Sequence, residues 1–507
     1  MDRRHSNMPT MQISNRITEN GIIGCLFLIA IFAPHSIAVT QTAWLLGMAL
    51  WLLRCAFYPR PRLFRSPVDY VLVGFFVLSG VSGVFSYNPF MSIGKMRAAS
   101  LFTIVYLVSQ NVPSLRTVRW LALALIGSCM VNVLWTAGQL GIGRGVKVQG
   151  VTAESPLAKA VFRTRTVRKE TPIKDGDIVW QIDGQRVDSP DEVAAALVSG
   201  QGVAKVKIYR VEWTPELEVP RTLLTGTTSL QQLGVGGWSR GRDWRATGFY
   251  GHWTTYAEVL QLIASLALGI FLALTQKGSR MGLLLLLAVA GLVFALAMTV
   301  TRGSWIGFAV SVVAMLLLTA SRRTIVIITG CAIPLVFAGV FLLQQRRNIG
   351  FIDTADQSTS WRQMVWREGF DLLVSKPRHL LVGVGIDSIK GHWREWGLFD
   401  NGRQPIGHMH SNLLQIALER GVPALILWLL LFVIYIRMLW HVIRQTTDFP
   451  RGVALGALGG ALGFFVSGLV HYNWGDSEVV TVFYFIMGLA LVVERSVSST
   501  QPPQSDR

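Results

Sequence analysis

Long apolar runs are the feature that most limits what this chain can fold into. Hydrophobic residues make up 51% of the 507 residues, and charged residues only 15%. A helix crosses a bilayer with roughly 20 apolar residues, and about twelve runs reach that length with little charge. The sequence therefore predicts an all-α polytopic membrane protein. The predicted spans lie near 21–38, 41–57, 68–87, 97–112, 119–140, 253–275, 281–300, 304–320, 324–344, 422–440, 453–470 and 477–493.

Basic residues are concentrated in alternate connections between these spans. The connections near 35–40, 88–94 and 471–476 contain none. The positive-inside rule places the basic connections and both termini in the cytoplasm, and the long loops 141–250 and 345–421 outside. This topology explains much of the net charge of +18, so the charge does not call for a nucleic-acid partner. The basic residues concerned are Arg54, Arg60, Arg62, Arg65, Arg116, Arg119, Lys277, Arg280, Arg322, Arg323, Arg437, Arg444 and Arg451.

Signatures of bound cofactors and of a cleaved leader are missing from the sequence. The four cysteines lie within or beside spans, which gives neither a disulfide framework nor metal-ligand spacing. No Gly-x-Gly-x-x-Gly or P-loop accompanies the outer segments, so nucleotide chemistry finds no support. The first apolar run is followed at once by another, which favours a span over a signal peptide. We expect no cofactor and no metal.

The first long loop contains a segment, 144–212, with the pattern of a folded domain. Alternating apolar residues predict short strands, Asp-Gly pairs mark turns, and Ser189 is placed to cap a short helix. The order of these elements resembles a PDZ domain of the bacterial type, which adds a peptide to a sheet edge beside a helix. We expect Val146, Val148 and 191–197 to line that groove and to bind a peptide or protein partner. The alternative is a degenerate module that serves as a spacer or lid.

Two arginines lie at the outer ends of predicted spans. Arg302 is the only basic residue in the short outward turns, and Arg245 leads directly into a span. A permanent charge beside hydrocarbon is costly unless it is partnered, which makes Arg302 a functional-site hypothesis. The alternative is an anchor that snorkels to the interface. Because arginine pairs bidentately with phosphate, two of them would suit a pyrophosphate at headgroup depth.

Two histidines precede a predicted helix in the second long loop. His410 opens a run of apolar residues at helical spacing over 410–420, and His408 lies just before it. Imidazole accepts protons near neutral pH, and a helix N-terminus favours its neutral form. We therefore expect His410 to act as a base, so that the turnover of the protein falls as the pH drops through about 6 to 7. The alternative is helix capping or an interface role.

Taken together and in this order, the outer segments resemble the O-antigen ligase and O-antigen polymerase superfamily of bacterial membrane glycosyltransferases. The resemblance covers roughly 67–140 and 244–494 and leaves the insert aside. Ser411 stands where the family has the second member of a His-Asn pair, and Asn412 follows it. The segments are WRATGFYGHWTTYAEVL (244–260), TRGSWIG (301–307), WRQMVWREGFDLLVSKPRHLLVGVGIDSI (361–389), HMHSNLLQIALERGVPAL (408–425) and YNWGDSEVVTVFYFIMGLA (472–490).

The resemblance implies a metal-independent, inverting glycosyltransferase of the C type in the bacterial inner membrane, with its site facing the periplasm. The donor would be a glycan on undecaprenyl pyrophosphate, and membrane lipids would surround the protein and this carrier. The acceptor would be lipid A–core in a ligase, another lipid-linked repeat in a polymerase, or a protein hydroxyl in an oligosaccharyltransferase. We favour the ligase type, in lipopolysaccharide or surface polysaccharide biosynthesis.

Roles for individual residues follow from this mechanism. Arg245 and Arg302 would stabilise the leaving pyrophosphate as its charge grows. His410 would take the proton of the acceptor hydroxyl, while His408 would orient it or contact the donor. Further substrate contacts are predicted at Arg362, Tyr472 and Asp476; the alternative for Asp476 and Glu478 is that they complement the N-terminus of the last helix.

Other classes of protein remain open. A transporter of the same lipid-linked glycan would need the arginines but no base, although no inverted repeat relates the two halves. A scaffold would use the insert and keep the helices as an anchor. The leading interpretation divides the chain into a first transmembrane part (1–140), a loop with the PDZ-like domain (141–243), a middle transmembrane part (244–344), a loop with the catalytic helix (345–421) and a last transmembrane part with a tail (422–507).

Overall fold

The chain forms two compact units. One contains Met1–Val133 and Thr247–Arg507, and is called here the helical unit; the other, Leu134–Ala246, is called the inserted unit. The computed structural model describes residues 8–56, 63–163, 168–210, 214–222, 226–319, 321, 323, 357–404 and 406–498.

Helices form the first part of the chain. Asn88 accepts a hydrogen bond from the backbone N–H of Met91 at 3.2 Å and so caps a run that begins with Pro89, earlier than the predicted 97–112. This run is broken into short helices joined by a 3₁₀ turn at Ser100–Phe102. The helices are α1 (Met8–Phe32), α2 (Ile37–Ala56), α3 (Asp69–Val84), α4 (Pro89–Gly94), α5 (Met96–Ala99), α6 (Thr103–Asn111) and α7 (Leu115–Ile142).

The inserted unit is a twisted antiparallel sheet with two short helices. Its core is apolar and includes Val146, Val148, Leu197, Val206 and Leu217. The sheet order is β3-β2-β7-β6-β4-β1-β8, with β5 paired to β4. The elements are β1 (Val146–Val151), β2 (Val161–Arg163), β3 (Arg168–Glu170), β4 (Ile178–Ile182), β5 (Gln185–Arg186), α8 (Pro190–Val198), β6 (Val203–Tyr209), β7 (Glu216–Pro220), α9 (Ser229–Leu233) and β8 (Val235–Arg240).

The predicted PDZ-like groove is not confirmed. β1 would supply its free edge, but β1 is paired on one side with β4 and on the other with β8. Val146 lies opposite Arg240 and Val148 opposite Trp238 in this ladder. The chain's own strand thus occupies the edge at which a peptide would add. Sequence analysis missed this because it ended the domain at 212, before β7 and β8.

The rest of the helical unit follows the insert. The loop predicted over 345–421 is folded from residue 357 onward, and its helices share an apolar cluster that includes Val365, Phe399, Met409 and Leu418. The helices are α10 (Trp253–Ala273), α11 (Arg280–Met298), α12 (Arg302–Thr319), α13 (Gln357–Val374), α14 (Pro377–Val382), α15 (Ile389–His392), α16 (Leu398–Gly402), α17 (Asn412–Arg420), α18 (Val422–Gln445), α19 (Asp448–Ser467) and α20 (Ser477–Ser498), with a 3₁₀ turn at Asn473–Gly475.

Nine of the described helices are long and apolar enough to cross a membrane, which confirms a polytopic helical membrane protein. Asp69–Val84 is apolar but shorter, and α1 overlaps part of the first predicted span without joining the nine. The predicted span 324–344 lies outside the described residues. The nine are Ile37–Ala56, Pro89–Asn111, Leu115–Ile142, Trp253–Ala273, Arg280–Met298, Arg302–Thr319, Val422–Gln445, Asp448–Ser467 and Ser477–Ser498.

Small residues bring α10, α12 and α19 close together. A Cβ atom added to Gly307 would come within 2.5 Å of the carbonyl oxygen of Gly463, so these helices approach through backbone. Gln261 Nε2 donates to Ser311 Oγ at 3.0 Å, and Ser311 Oγ donates to the carbonyl oxygen of Gly459 at 2.6 Å. These buried polar contacts tie the three helices together.

Candidate active site

A cavity of about 380 Å³ lies in the helical unit. Phe75, Trp474 and Tyr484 give it an aromatic wall. Its polar lining comes from five segments that are distant in sequence, and the side chains are those of Lys95, His252, Thr255, Asp387, Lys390, His408, Gln415, Glu419, Arg420, Tyr472, Asp476 and Ser477. An aromatic surface beside donors and acceptors suits a sugar, which presents both apolar faces and hydroxyls.

The histidine segment is fixed through the residue between the two histidines. Met409 is fully buried; its N–H donates to Gln415 Oε1 at 2.7 Å, and its carbonyl oxygen accepts from Trp366 Nε1 at 2.8 Å. The imidazole rings of His408 and His410 lie with centroids 4.0 Å apart. His410 has a φ of 48°, an uncommon conformation for a non-glycine residue. Strain of this kind concentrates at functional sites.

A backbone hydrogen bond sets the tautomer of His408. The N–H of His410 donates to Nδ1 of His408 at 3.2 Å. A neutral imidazole carries one proton, so Nε2 of His408 holds it and acts as a donor. Within the described part of the chain, no hydrogen bond engages a ring nitrogen of His410, whose ring packs edge-on against Trp361 with centroids 4.6 Å apart. His410 is therefore the histidine left able to accept a proton.

Burial keeps both imidazoles neutral. Removal from water lowers the pKa of His408 to about 4, and the charge of Lys390 acts in the same direction. The pKa of His410 lies well below its usual range, because of burial first and then because protonation would place a second charge beside His408 and Arg362. The imidazole of His410 is thus neutral, as expected from the sequence, and its role as a base stays a prediction. The predicted loss of turnover between pH values of about 6 and 7 moves to lower pH.

Glu419 and Arg420 form a buried pair that sequence analysis did not single out. Glu419 Oε2 accepts from Arg420 at 3.1 Å and from the Tyr472 hydroxyl at 3.1 Å, and its Oε1 accepts from Gln415 Nε2 at 2.8 Å. The hydroxyl proton of Tyr472, a predicted sugar contact, is therefore engaged by Glu419. The available signal was the Glu-Arg pair, the only two charged residues of the helix that ends before Gly421.

Asp476, a second predicted sugar contact, does line the cavity. Its Oδ2 accepts a hydrogen bond from Thr255 Oγ1 at 2.6 Å. Burial raises the pKa of this carboxyl to about 7, and a hydrogen bond with Glu478 contributes. Asp476 therefore changes charge in the neutral pH range.

An ionic cluster on the cavity wall was also missed. The Asp387 carboxylate forms ion pairs with Lys95 (Nζ to Oδ2, 3.0 Å) and with Lys390 (Nζ to Oδ1, 2.8 Å), so two ammonium groups share one carboxylate. Its backbone N–H donates to Glu419 Oε1 at 3.0 Å, which joins the cluster to the buried pair. Lys95 directly follows the connection near 88–94, which contains no Lys or Arg, so the distribution of basic residues did not single it out.

Glu258 is the most buried carboxylate near the site and was likewise missed. It is 1% exposed and accepts from Ser304, Ser467, His471 and Asn473. The sequence did contain a signal, because Glu258 is the only Asp, Glu, Lys or Arg residue in Trp253–Ala273 and a charge within a span is a functional hypothesis.

The predicted arginines occupy different places. Arg302 is the first residue of α12 and half-buried, and Arg362 lies in α13 close enough to lower the pKa of His410. Neither belongs to the described residues that line the cavity. Arg245 is buried in the inserted unit, where its N–H donates to the Tyr209 hydroxyl at 3.0 Å. Since Arg245 and Arg302 fall in separate units, their joint phosphate clamp stays a prediction.

In the part of the chain that the structure describes, no three His, Cys, Asp or Glu side chains are grouped to hold a metal ion. Among the predicted site residues, the structure brings His408, His410 and Arg362 together, and it places His408, Tyr472 and Asp476 around one cavity.

Comparison with known proteins relates one region of the helical unit to a protein family. No curated protein matches the chain. Residues 284–429 match the family described as O-antigen ligase. The matched region contains Arg302, Arg362, His408 and His410, and it ends within α18. The match supports the predicted resemblance to the O-antigen ligase superfamily over this region of the chain.

Proposed function

We propose that this protein transfers a glycan from an undecaprenyl-pyrophosphate carrier to an acceptor hydroxyl, as an O-antigen ligase acting on lipid A–core. The family match supports glycosyl transfer of the ligase or polymerase type. The observation that carries the proposal is the neutral histidine pair beside a cavity with aromatic and polar walls. The reaction would take place at the periplasmic face of the bacterial inner membrane, in keeping with the distribution of basic residues.

His410 is the proposed base. The acceptor oxygen attacks the anomeric carbon as its proton passes to His410, and the bond from that carbon to the pyrophosphate oxygen breaks with inversion. Support comes from the free ring nitrogens of His410 among the described residues, and from the tautomer that makes Nε2 of His408 a donor. His408 would then donate to a sugar or phosphate oxygen, which orients the substrate.

The leaving pyrophosphate requires cations. Charge that develops on a leaving group is commonly stabilised by preorganised donors, often at the largest gain in rate. Arg302 at the outer end of α12 and Arg245 are the proposed contacts, with Arg362 beside His410 as a third. The released proton and the departing pyrophosphate would thus be received by separate groups.

The cavity would hold the sugar next to the breaking bond. Trp474, Phe75 and Tyr484 can stack against apolar sugar faces, while Asp476 can accept from sugar hydroxyls. A volume of about 380 Å³ is of the size that small-molecule pockets have, so a short stretch of glycan fits.

Products formed by the purified protein test this function. It should be supplied with an undecaprenyl-pyrophosphate oligosaccharide together with lipid A–core, a second lipid-linked repeat or a protein acceptor. Glycosylated lipid A–core is the expected product; longer lipid-linked chains would indicate a polymerase, and glycoprotein an oligosaccharyltransferase. Absence of any transferred glycan, with correctly folded protein and each of the acceptors, would contradict the proposal.

A further inference from the structure

The four hydrogen bonds of Glu258 come from three different segments of the helical unit. Oε1 accepts from Ser304 Oγ at 3.0 Å and from His471 Nδ1 at 2.9 Å. Oε2 accepts from Ser467 Oγ at 2.7 Å and from Asn473 Nδ2 at 3.1 Å. A carboxylate is expensive to bury, and this one has both oxygens engaged.

One arm of this network leads to the proposed phosphate contact. Ser304 lies two residues after Arg302, in the first turn of α12. Gly303, between them, packs directly on the imidazole that Glu258 holds, because a Cβ atom there would come within 2.7 Å of His471 Cε1. The start of α12 is therefore fixed against Glu258 by a side-chain hydrogen bond and by backbone contact.

The other arm leads to the proposed base. Asn473 Oδ1 accepts from Asn412 Nδ2 at 2.6 Å, and Asn412 Oδ1 accepts from the N–H of Trp474 at 3.1 Å. Asn412 is the first residue of α17 and follows His410 by two positions. Its own N–H donates to the carbonyl oxygen of Gly468 at 2.7 Å. The histidine segment is thus joined to Glu258 through one intervening side chain.

We infer that Glu258 is a positioning residue, which holds the Arg302 turn and the His408–His410 segment in one fixed arrangement. The inference rests on the proposed function of those residues. Cohesion of the helices does not need Glu258, because Gln261 and Ser311 already link α10, α12 and α19 one turn deeper. The Glu258 network is instead placed at the outer ends of these helices, where the two proposed groups begin.

The test compares Glu258→Gln and Ser304→Ala with Gln261→Met as the matched control. Glu258→Gln keeps shape but replaces one accepting oxygen by an amide that cannot accept, so a pair of donors is left unmatched. Ser304→Ala removes a single bond to Oε1 and is the milder change. Gln261→Met removes a buried polar link in the same helix without touching the outer network.

We expect Glu258→Gln to lower kcat about 10- to 100-fold with KM for the lipid-linked donor little changed, since misplaced groups slow chemistry more than binding. Ser304→Ala should lower kcat about 3- to 10-fold. Gln261→Met should keep wild-type kcat. In a double-mutant cycle, Glu258→Gln should lower kcat by a smaller factor in the Arg302→Lys background than in the parent protein, because both substitutions disturb the same arrangement.

A second readout does not depend on turnover. Backbone hydrogen exchange should rise in 408–412 and 468–476 in Glu258→Gln, and stay at its parent level there in Gln261→Met. If the parent protein transfers no glycan, the proposed function fails. If the parent transfers glycan while Glu258→Gln and Ser304→Ala keep its kcat, or the cycle is fully additive, the positioning role is contradicted.

Discussion

The backbone N–H of His410 donates to Nδ1 of His408 at 3.2 Å, with the two rings 4.0 Å apart. Because of this contact, two side chains of the same chemical type differ in which ring nitrogen can donate or accept a proton. His408 is committed to the tautomer that donates from Nε2, whereas His410 can accept a proton.

His410→Ala should abolish transfer while leaving donor binding largely intact, since arginines are proposed to hold the phosphates. His408→Ala should be milder, at about 10- to 100-fold in kcat, because an orienting hydrogen bond is lost but the base is kept. His441→Ala, an exposed histidine in α18, serves as the control for the substitution itself. Turnover and donor binding in detergent measure the outcome. A dead His408→Ala beside an active His410→Ala would exchange the two assignments.

The pH profile should show the effect of burial. With a pKa of about 4 for His408 and a lower one for His410, both imidazoles stay neutral on acidification from pH 7 to 5. Burial of the neutral form also contributes stability that is present above the unfolded pKa of about 6.5 and lost as the pH falls toward the folded pKa. Turnover should therefore persist at pH 6 and fail near 4. A histidine-dependent midpoint between 6 and 7 would show that the site is hydrated in solution.

A separate transition near neutrality should come from Asp476. Its pKa is raised to about 7, so the carboxylate becomes protonated as the pH drops from 8 to 6. Any change of rate in this range should disappear in Asp476→Asn, which keeps size and cannot ionise. The control is the parent protein returned to its starting pH, which must recover its rate. A neutral transition that survives Asp476→Asn would assign it to another group.

Arg302→Lys should be impaired although charge is kept, because an ammonium cannot reproduce the bidentate guanidinium contact with phosphate. Arg302→Ala should lose nearly all turnover and still purify as a folded protein. Arg280→Ala is a matched control, since Arg280 is also the first residue of a helix in the same unit. The pyrophosphate role would not stand if Arg302→Ala turned over at the parent rate.

The inserted unit should be separable from the chemistry. Its ends meet, because the N–H of Arg144 donates to the carbonyl oxygen of Gly241 at 2.8 Å. Residues 145–240 can therefore be replaced by a short Gly/Ser link with little displacement of the flanking chain. We expect measurable transfer to a simple acceptor, with parent-level thermal stability of the helical unit. An inactive but folded variant would show that the insert shapes the site.

Much of the fold could be predicted because bilayer crossing leaves a strong signal in sequence. Runs such as 281–300 have the length and apolarity that a span requires, and α11 lies there. The boundary near 89 was missed because Pro89–Asn111 is broken into short pieces without a single apolar period. The position of β8 against β1 is a non-local pairing, which alternation of residues within one strand cannot reveal.

The candidate site shows the same division. Arg302 was singled out because a permanent charge at the end of a span is rare, and His408 and His410 because they precede a predicted helix. Glu258 and Glu419 were not, since their importance lies in partners such as Asn473 and Tyr472 that are distant in sequence. Local pattern predicts candidate residues for the chemistry, whereas the contacts that hold these residues depend on how the helices pack.

The central claim, that the protein cleaves its lipid-linked substrate rather than moving it, is tested most directly by following the carrier. The purified protein should be reconstituted in vesicles with an undecaprenyl-pyrophosphate oligosaccharide and lipid A–core, and both lipids quantified by mass spectrometry. We predict that free undecaprenyl pyrophosphate appears in equal amount to glycosylated lipid A–core, and that neither forms with His410→Ala. Carrier that changes leaflet with its glycan still attached, and with no free pyrophosphate released, would contradict the account and indicate a transporter.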